Sequence, residues 1–518
     1  MAQYLIGLDF GTASARGVLV DVDRGVEVAS HTEEYRHGTL TAALPNGMPL
    51  GRSWALQVAT DYVEAAESIL SQLGRGRHVV GLGLGFTASS PLPATAEGVP
   101  LSVLHPGDPH AYVKLWKHGA AQAQADRISR QAASHLDRFG GKVSAEWLLA
   151  KAAQIAEEAP ESWARTEKFI EAGDWMVWQL VGAECRSLGL AAYKAQYDSK
   201  RGYPGGLVDG LEGRLSAPVP VGTRAGGLAP AWCEKTGIIG PCAVAVAVID
   251  SHVVLPAIGA VSDGCFVGAL GTSAVSMMLS REEYPLPQGI EGTAFDGSIS
   301  GLWCYEAGQA SFGDTLSWFV NMVPRGASAG ESFSAYNAEA ALLRPGEARL
   351  LALDWWNGNR VPHGNSALSG MILGLTMQTD PVAIYRALME SLCFGMRQIF
   401  DLYGTGGFPV SRVVMTSGLA QRNALLVQTM ANVLGHNIEV PDIDNATAVG
   451  AAIHGAVAGG TVADYSEGAA RFGARTCKVY VPDSEAHDVY SGLFSQYKTL
   501  SADANLRQVM SALRAWSG

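Results

Sequence analysis

The hexapeptide Asp9-Phe10-Gly11-Thr12-Ala13-Ser14 closes an apolar run with a carboxylate and continues into small residues that carry two hydroxyls. A turn of this kind can aim successive backbone N–H groups and hydroxyls at a phosphate, while the carboxylate holds a magnesium ion through water. An ordinary hairpin turn has the same composition, so the hexapeptide alone does not choose. Gly271-Thr272-Ser273 repeats the device between the apolar runs 265–270 and 274–279. Two such turns, one in each half of the chain, suit a polyphosphate clamped between two domains. Val248-Ile249-Asp250-Ser251-His252 is a third candidate. An acidic residue at the end of an apolar strand is either a helix N-cap or a general base that takes a proton from a hydroxyl.

Other signatures fail. The chain has no G-x-x-x-x-G-K-[ST] stretch, which closes the P-loop route to a nucleotide. Gly81-Leu-Gly-Leu-Gly85 spaces its glycines at period two, unlike a dinucleotide fingerprint. Gly326-Ala-Ser-Ala-Gly330 matches a nucleophile elbow in letters, but it sits in a small-residue loop with no strand before it. Asn445-Ala446-Thr447 matches a glycosylation sequon inside a helical pattern and reads as inert.

The elements that must position these residues follow from periodicity. Residues 4–10 and 16–21 read as two strands around the first turn, and 265–270 and 274–279 as two around the second. Similar hairpins half a chain apart suggest a duplicated architecture. Residues 78–86 form a strand of alternating Gly and Leu, and 144–158 have helical spacing. Residues 214–230 are loop-like. The stretch 381–402 predicts a helix with Pro381 at its start and Ile384, Leu388, Leu392, Met396 and Ile399 on one stripe. Residues 423–434 and 446–458 predict two more helices, the second so rich in small residues that it must pack closely.

A chain of 518 residues exceeds what one core supports, so two or three domains are expected. It is 48% apolar and only 17% charged, which excludes intrinsic disorder. A net charge of −12 excludes nucleic acid and anionic membrane as partners of the whole surface. Seven scattered cysteines without a C-x-x-C pair read as free thiols in a reducing compartment. The long apolar stretch 242–261 contains Asp250, Ser251, His252 and Pro256, so a core strand ending in a polar turn suits it better than a membrane span. The N-terminal residues lack a basic n-region and a cleavable apolar segment. A cytoplasmic location is therefore expected, and a homodimer is allowed.

Taken in order, several further segments resemble one family: Gly85-Phe-Thr-Ala-Ser-Ser-Pro91, Lys114-Leu-Trp-Lys-His118, Tyr193-Lys194, Tyr305-Glu-Ala-Gly-Gln309, Phe312-Gly-Asp314 and Leu351-Ala-Leu-Asp-Trp-Trp-Asn-Gly-Asn-Arg360. Together with the phosphate turns they resemble the FGGY carbohydrate kinases of the actin-like ATPase superfamily, and within them the ribulokinase-like members. Ser417-Gly-Leu-Ala-Gln-Arg-Asn423 is similar to the family's adenosine-side motif. The resemblance implies a two-domain α/β, ribonuclease H-like fold with a catalytic cleft between the domains. It implies an N-terminal domain over 1–245, a C-terminal catalytic and ATP-binding domain over 246–480, and a helical tail over 481–518. It also implies roles: Asp250 as catalytic base; Ala88, Trp116, Lys194, Asp250 and Glu306 on the sugar; Gly11, Thr12, Ser14, Gly271, Thr272, Ser273, Gly313, Gly418, Leu419 and Asn423 on ATP; Asp9 on Mg2+ through water.

Three departures touch the sugar and base pockets: Gly85-Phe86-Thr87, Leu188-Gly-Leu-Ala-Ala192 where relatives carry more hydroxyls, and Ser417 in place of a usual glycine. The expected reaction is transfer of the γ-phosphoryl of ATP to a small-molecule ketopentose, L-ribulose to L-ribulose 5-phosphate, by an in-line path. Runner-up acceptors are D-ribulose, xylulose and erythritol. From a different class comes an actin-like ATPase or sugar sensor that transfers nothing to sugar.

Overall fold

The apolar run at the start of the chain forms β1 (Gln3–Phe10), and the small-residue turn reverses it into β2 (Ser14–Asp21), followed by β3 (Val26–Glu34). A helix, Ala59–Gly74, then carries the chain across to β4 (His78–Phe86), which runs parallel to β1. Parallel strands need such a crossover, because a tight turn can join only antiparallel neighbours. The helix buries Tyr62, Ala65, Ala66, Ile69, Leu70 and Leu73, one face at period 3.6. After β5 (Arg224–Gly227) the sheet is extended by β6 (Ala243–Ala245) and β7 (Val248–Ile249), both parallel to β4. The strand order is β5-β6-β4-β1-β2-β3, with β7 also beside β4. The computed structural model describes residues 2–132, 135–287 and 289–516.

The second hairpin starts a second sheet on the same plan. It contains β8 (Cys265–Leu270), β9 (Ala274–Ser280), β10 (Trp303–Gln309), β11 (Arg412–Thr416), β12 (Ile438–Pro441) and β13 (Cys477–Tyr480), in the order β10-β9-β8-β11-β12-β13, with the short strand Gly292–Phe295 on the far side of β10. In each sheet the first hairpin is antiparallel, the next strands are parallel, and an antiparallel strand follows them. The duplication suggested by two hairpins therefore extends to whole sheets.

The compact units are not contiguous in sequence. One comprises residues 1–262, 293–304 and 443–474; the other comprises 263–292, 305–442 and 475–518. These units do not coincide with a linear division at 245/246 and 480/481. The reason lies in the helix Ala446–Ala458, which packs on β1 and β4 of the first unit. A Cβ at Gly7 would fall 1.8 Å from the Ala448 carbonyl oxygen, one at Gly81 2.6 Å from that of Gly455, and one at Gly83 1.9 Å from that of Ala451. The period-two glycines of β4 are a bed for a helix of small residues. They let two backbones approach where any side chain would hold them apart.

The helix expected from residue 144 starts at Leu148 and runs to Glu158, after extended backbone at Trp147. The expected helix 381–402 continues to Thr405, with Asp380 accepting from the Ala383 N–H as its cap. The tail forms the helices Ser484–Ala502 and Ala504–Ala515, capped by Asp483 and Asp503. Tyr490, Phe494 and Tyr497 line the buried face of the first, and all three rings pack against Phe394. The tail belongs to the core of the second unit. All seven cysteines are free, and no helix among the described residues is long and apolar enough to cross a membrane.

Candidate active site

Register does most of the assembly in the first unit. Phe10 on β1 pairs with Phe86 on β4, which pairs with Ile249 on β7. The next residues along each strand are Gly11, Thr87 and Asp250. The expected phosphate turn, the expected sugar loop and the expected base therefore emerge side by side at the carboxyl ends of parallel strands, where open α/β sheets bind their ligands. Beneath them Phe10 and Phe86 stack at 4.7 Å, and the Tyr62 ring meets Phe86 edge-on at 4.9 Å. These buried rings give the strand ends a rigid floor.

The turn itself is tied from three directions. The Gly11 N–H donates to the Ser14 carbonyl at 3.0 Å. Gln57 Nε2 donates to the Thr12 carbonyl at 2.7 Å, and the Tyr62 hydroxyl donates to Gln57 Oε1. Trp116, expected as a wall of the sugar pocket, has its indole N–H on the Thr12 hydroxyl oxygen at 3.0 Å. Thr12 Oγ1 accepts there and keeps its own proton for an acceptor such as a phosphate oxygen.

Asp9 is held by Thr447, a residue the sequence offers only as part of an inert sequon. The Thr447 hydroxyl donates to Asp9 Oδ2 at 2.6 Å. Loss of solvent pushes the Asp9 carboxyl up, against the Thr447 bond and the nearby charge of Arg16. A Cβ at Gly85 would sit 2.8 Å from Val253 Cγ1 and 3.6 Å from Asp9 Oδ1, so glycine there lets the Val253 side chain pack close beside the carboxylate. Among the described residues no group of three or more His, Cys, Asp and Glu could hold a metal. A lone carboxylate fits an ion that keeps most of its waters and takes its other ligands from phosphates, as magnesium does.

The loop at Ala88 is braced by buried charges. Glu171 accepts from the Ser90 N–H at 2.7 Å and from the Ser89 hydroxyl at 3.2 Å. Lys151 Nζ donates to the carbonyls of Ser89 (2.8 Å), Leu115 (2.9 Å) and Lys114 (3.2 Å), joining this loop to the one that carries Trp116. Burial drives Lys151 down and Glu171 up, and each one's charge opposes the other's shift. The charge of Lys194, on the helix Leu188–Ala195, adds to the downward pull on both groups. Asp250 is the first residue of the turn Asp250–Val253, and its Oδ1 accepts from the Ser251 N–H at 2.7 Å. The His252 ring packs edge-on against Tyr193 at 4.8 Å, which ties the Asp250 segment to the Tyr193-Lys194 segment.

In the second unit Gly271 N–H donates to the Ser273 carbonyl at 2.9 Å, closing the second turn. Phe312 N–H donates to the Thr272 carbonyl (2.7 Å) and Gly313 N–H to the Gly271 carbonyl (3.0 Å), so Gly313 lies on this turn. Ala269 on β8 pairs with Thr416 on β11, bringing Gly271 and the Ser417–Asn423 segment out at the carboxyl ends of two neighbouring parallel strands. Ser417 has φ +107°, a conformation that favours glycine, and its hydroxyl donates to the Leu270 carbonyl. That bond offsets the strain of the serine backbone. Leu419 reaches Gly313, since a Cβ there would lie 3.4 Å from its Cδ2. Asn423 is buried and caps the helix Ala424–Leu434, accepting from the Leu426 N–H at 3.0 Å. Glu306 lies on β10, nearly buried, and its carbonyl accepts from the Glu291 N–H at 3.0 Å.

The family model for the C-terminal domain of the FGGY family of carbohydrate kinases matches residues 267–459. The ribulokinase of Halalkalibacterium halodurans is 40% identical, with 96% of this chain and 94% of that protein covered. This chain belongs to the FGGY family of carbohydrate kinases. A ribulokinase of Mycolicibacterium smegmatis is 39% identical over 96% of this chain and 93% of its own length. Among solved structures, the xylulose kinase of Rhodospirillum rubrum superposes with a TM-score of 0.84 at 19% identity, over 98% of this chain and 99% of that one. The Plasmodium falciparum glycerol kinase with ADP gives 0.80 at 12% identity, over 97% and 99%. At such identities the likeness is one of fold: two-domain α/β, as expected for this family.

Proposed function

We propose that this FGGY kinase transfers the γ-phosphoryl group of ATP to a hydroxyl of L-ribulose, giving L-ribulose 5-phosphate. The observation that carries the reading is identity near 40%, across nearly the whole chain, with proteins named ribulokinase. The row of Gly11, Thr87 and Asp250 at the end of three strands supports it, because that row sets a phosphate turn beside a sugar loop and a carboxylate.

Phosphoryl transfer asks little covalent chemistry of a protein and much positioning. Asp250 takes the proton of the attacking hydroxyl as transfer proceeds. Lys194 and Glu306 orient the sugar by directed hydrogen bonds, and the Ala88 loop lies against it. The turns at Gly11–Ser14 and Gly271–Ser273 present N–H groups and hydroxyls to phosphate oxygens. Gly313, Gly418 and Leu419 border the nucleotide, with Asn423 shaping that border as a helix cap. Asp9 would hold the magnesium ion bound with ATP, through water, and the ion would supply neutralisation of charge on the phosphates.

The test is ATP consumption by the purified protein against a panel of L-ribulose, D-ribulose, D-xylulose and erythritol, with the phosphorylated carbon identified by NMR. The highest kcat/KM is expected for L-ribulose, with phosphate on C5. Preference for another acceptor overturns the substrate, and turnover that ignores every sugar overturns the kinase reading.

A further inference from the structure

Strand β10 alternates its side chains, so Tyr305, Ala307 and Gln309 share one face while Glu306 and Gly308 take the other. The first face is tied at both ends. The Tyr403 hydroxyl donates to the Tyr305 carbonyl at 3.1 Å. Gln309 Nε2 donates to Asp354 Oδ2 at 2.8 Å and to the Leu392 carbonyl at 3.1 Å. The second oxygen, Asp354 Oδ1, accepts from the hydroxyl of Tyr497 in the tail helix at 2.6 Å. Asp354, Gln309 and Tyr497 are all buried. A Cβ at residue 395 would lie 2.2 Å from Asp354 Oδ2 and 2.3 Å from Gln309 Nε2, so Gly395 admits the pair against the helix Pro381–Thr405. On the other face the surroundings are charged: a Cβ at Gly308 would meet Glu291 at 3.2 Å and Arg360 at 3.4 Å.

A buried carboxylate held by two directed donors is a stiff joint, because moving any member leaves a polar group unsatisfied. This joint grips the strand three residues beyond Glu306. We propose that Tyr497 and Asp354 are positioning residues, which act through Gln309 to hold the segment Tyr305–Gln309 so that Glu306 faces the sugar. The tail helix then takes part in substrate recognition without touching substrate. The inference rests on the sugar-binding reading of Glu306.

The test compares Tyr497→Phe, which loses one donor and keeps the ring, with Gln309→Met, which loosens the joint from the strand side. Each is melted first, and kinetics are then run with the pentulose identified by the panel. Misaimed recognition groups cost about tenfold or more, so KM for the sugar should rise about tenfold while KM for ATP stays within about twofold of wild type. In a Glu306→Gln background, Tyr497→Phe should add no further rise, because two residues acting through one contact are not additive. A Tyr497→Phe protein with a lowered Tm and a wild-type sugar KM overturns the proposal and leaves the joint purely stabilising. So does full additivity in the double variant. If Glu306→Gln itself keeps the wild-type sugar KM, the reading of Glu306 fails and this inference falls with it. If Glu306→Gln raises KM and the joint variants do not, only the positioning role fails.

Discussion

The Thr447 hydroxyl donates to Asp9 Oδ2 at 2.6 Å, joining residues 438 positions apart in the chain. Asp9 ends the first strand, and Thr447 lies in the first turn of the helix that the glycines of β1 and β4 admit onto the sheet. The same helix start carries Asn445, whose Oδ1 accepts from Arg16 at 3.0 Å and whose Nδ2 donates to Glu27 at 2.9 Å. A packed helix thus sets the orientation of the carboxylate proposed to hold magnesium.

Thr447→Val keeps the shape and removes the donor. A hydrogen bond to a charged group contributes about 1.5–3 kcal/mol, roughly a tenfold effect or more. The magnesium concentration for half-maximal activity should rise by about that factor, and Thr447→Ser should restore it. A magnesium titration of each variant at saturating ATP checks this, and an unchanged midpoint for Thr447→Val counts against it.

Asp250→Asn keeps the hydrogen bond from the Ser251 N–H and loses basicity. Turnover should fall by about 10²–10⁴, the usual contribution of general-base catalysis. Calorimetric affinity for Mg-ATP should stay at the wild-type value. A folded variant with near-normal kcat removes the base assignment.

Gly83→Ala places a Cβ 1.9 Å from the Ala451 carbonyl oxygen, a backbone atom that cannot swing aside. Overpacking of this kind costs about 1–3 kcal/mol, and more where backbone must move. Urea unfolding should show a clearly lower midpoint. Gly213→Ala, with nothing within 4 Å of its Cβ, should unfold like wild type.

Lys114 is buried, with its ammonium 4.3 Å over the Trp54 ring and no hydrogen-bond partner among the described residues. Burial, followed by the charge of Lys151, pulls its pKa down to about 7, against the milder influence of Glu158 and Asp108. The unfolded chain therefore binds the extra proton more tightly between about pH 7 and the ordinary lysine value, so this residue's contribution to stability rises with pH across that window. Lys114→Met removes the dependence. It should melt above wild type at pH 7, and the difference should close by pH 10. Parallel melting curves at the two pH values test the sign.

Much of this fold could be read along the chain. Both hairpins, the strand 78–86 and the helices near 381 and 446 follow from local periodicity and turn chemistry, which need only neighbouring residues. The types of group offered at Asp9, Gly11–Ser14, Asp250 and Gly271–Ser273 were also legible, because a turn of small residues at a strand end is a short local device. What depended on long-range pairing was not legible. Register set Phe10, Phe86 and Ile249 in one row, and no local pattern states which strands become neighbours. Thr447 looked like part of an inert sequon and Tyr497 like part of a tail until packing brought them to Asp9 and Asp354, and the contact of Trp116 with Thr12 was equally invisible in the sequence. The compact units depart from a linear division for the same reason: residues 443–474 return to the first unit because its glycine-lined sheet is where a helix of small residues buries its backbone most closely. The chain's local chemistry determined which groups were available. Tertiary packing decided which of them meet, since a hydrogen bond to a distant carboxylate has directional and steric requirements that only the folded backbone can satisfy.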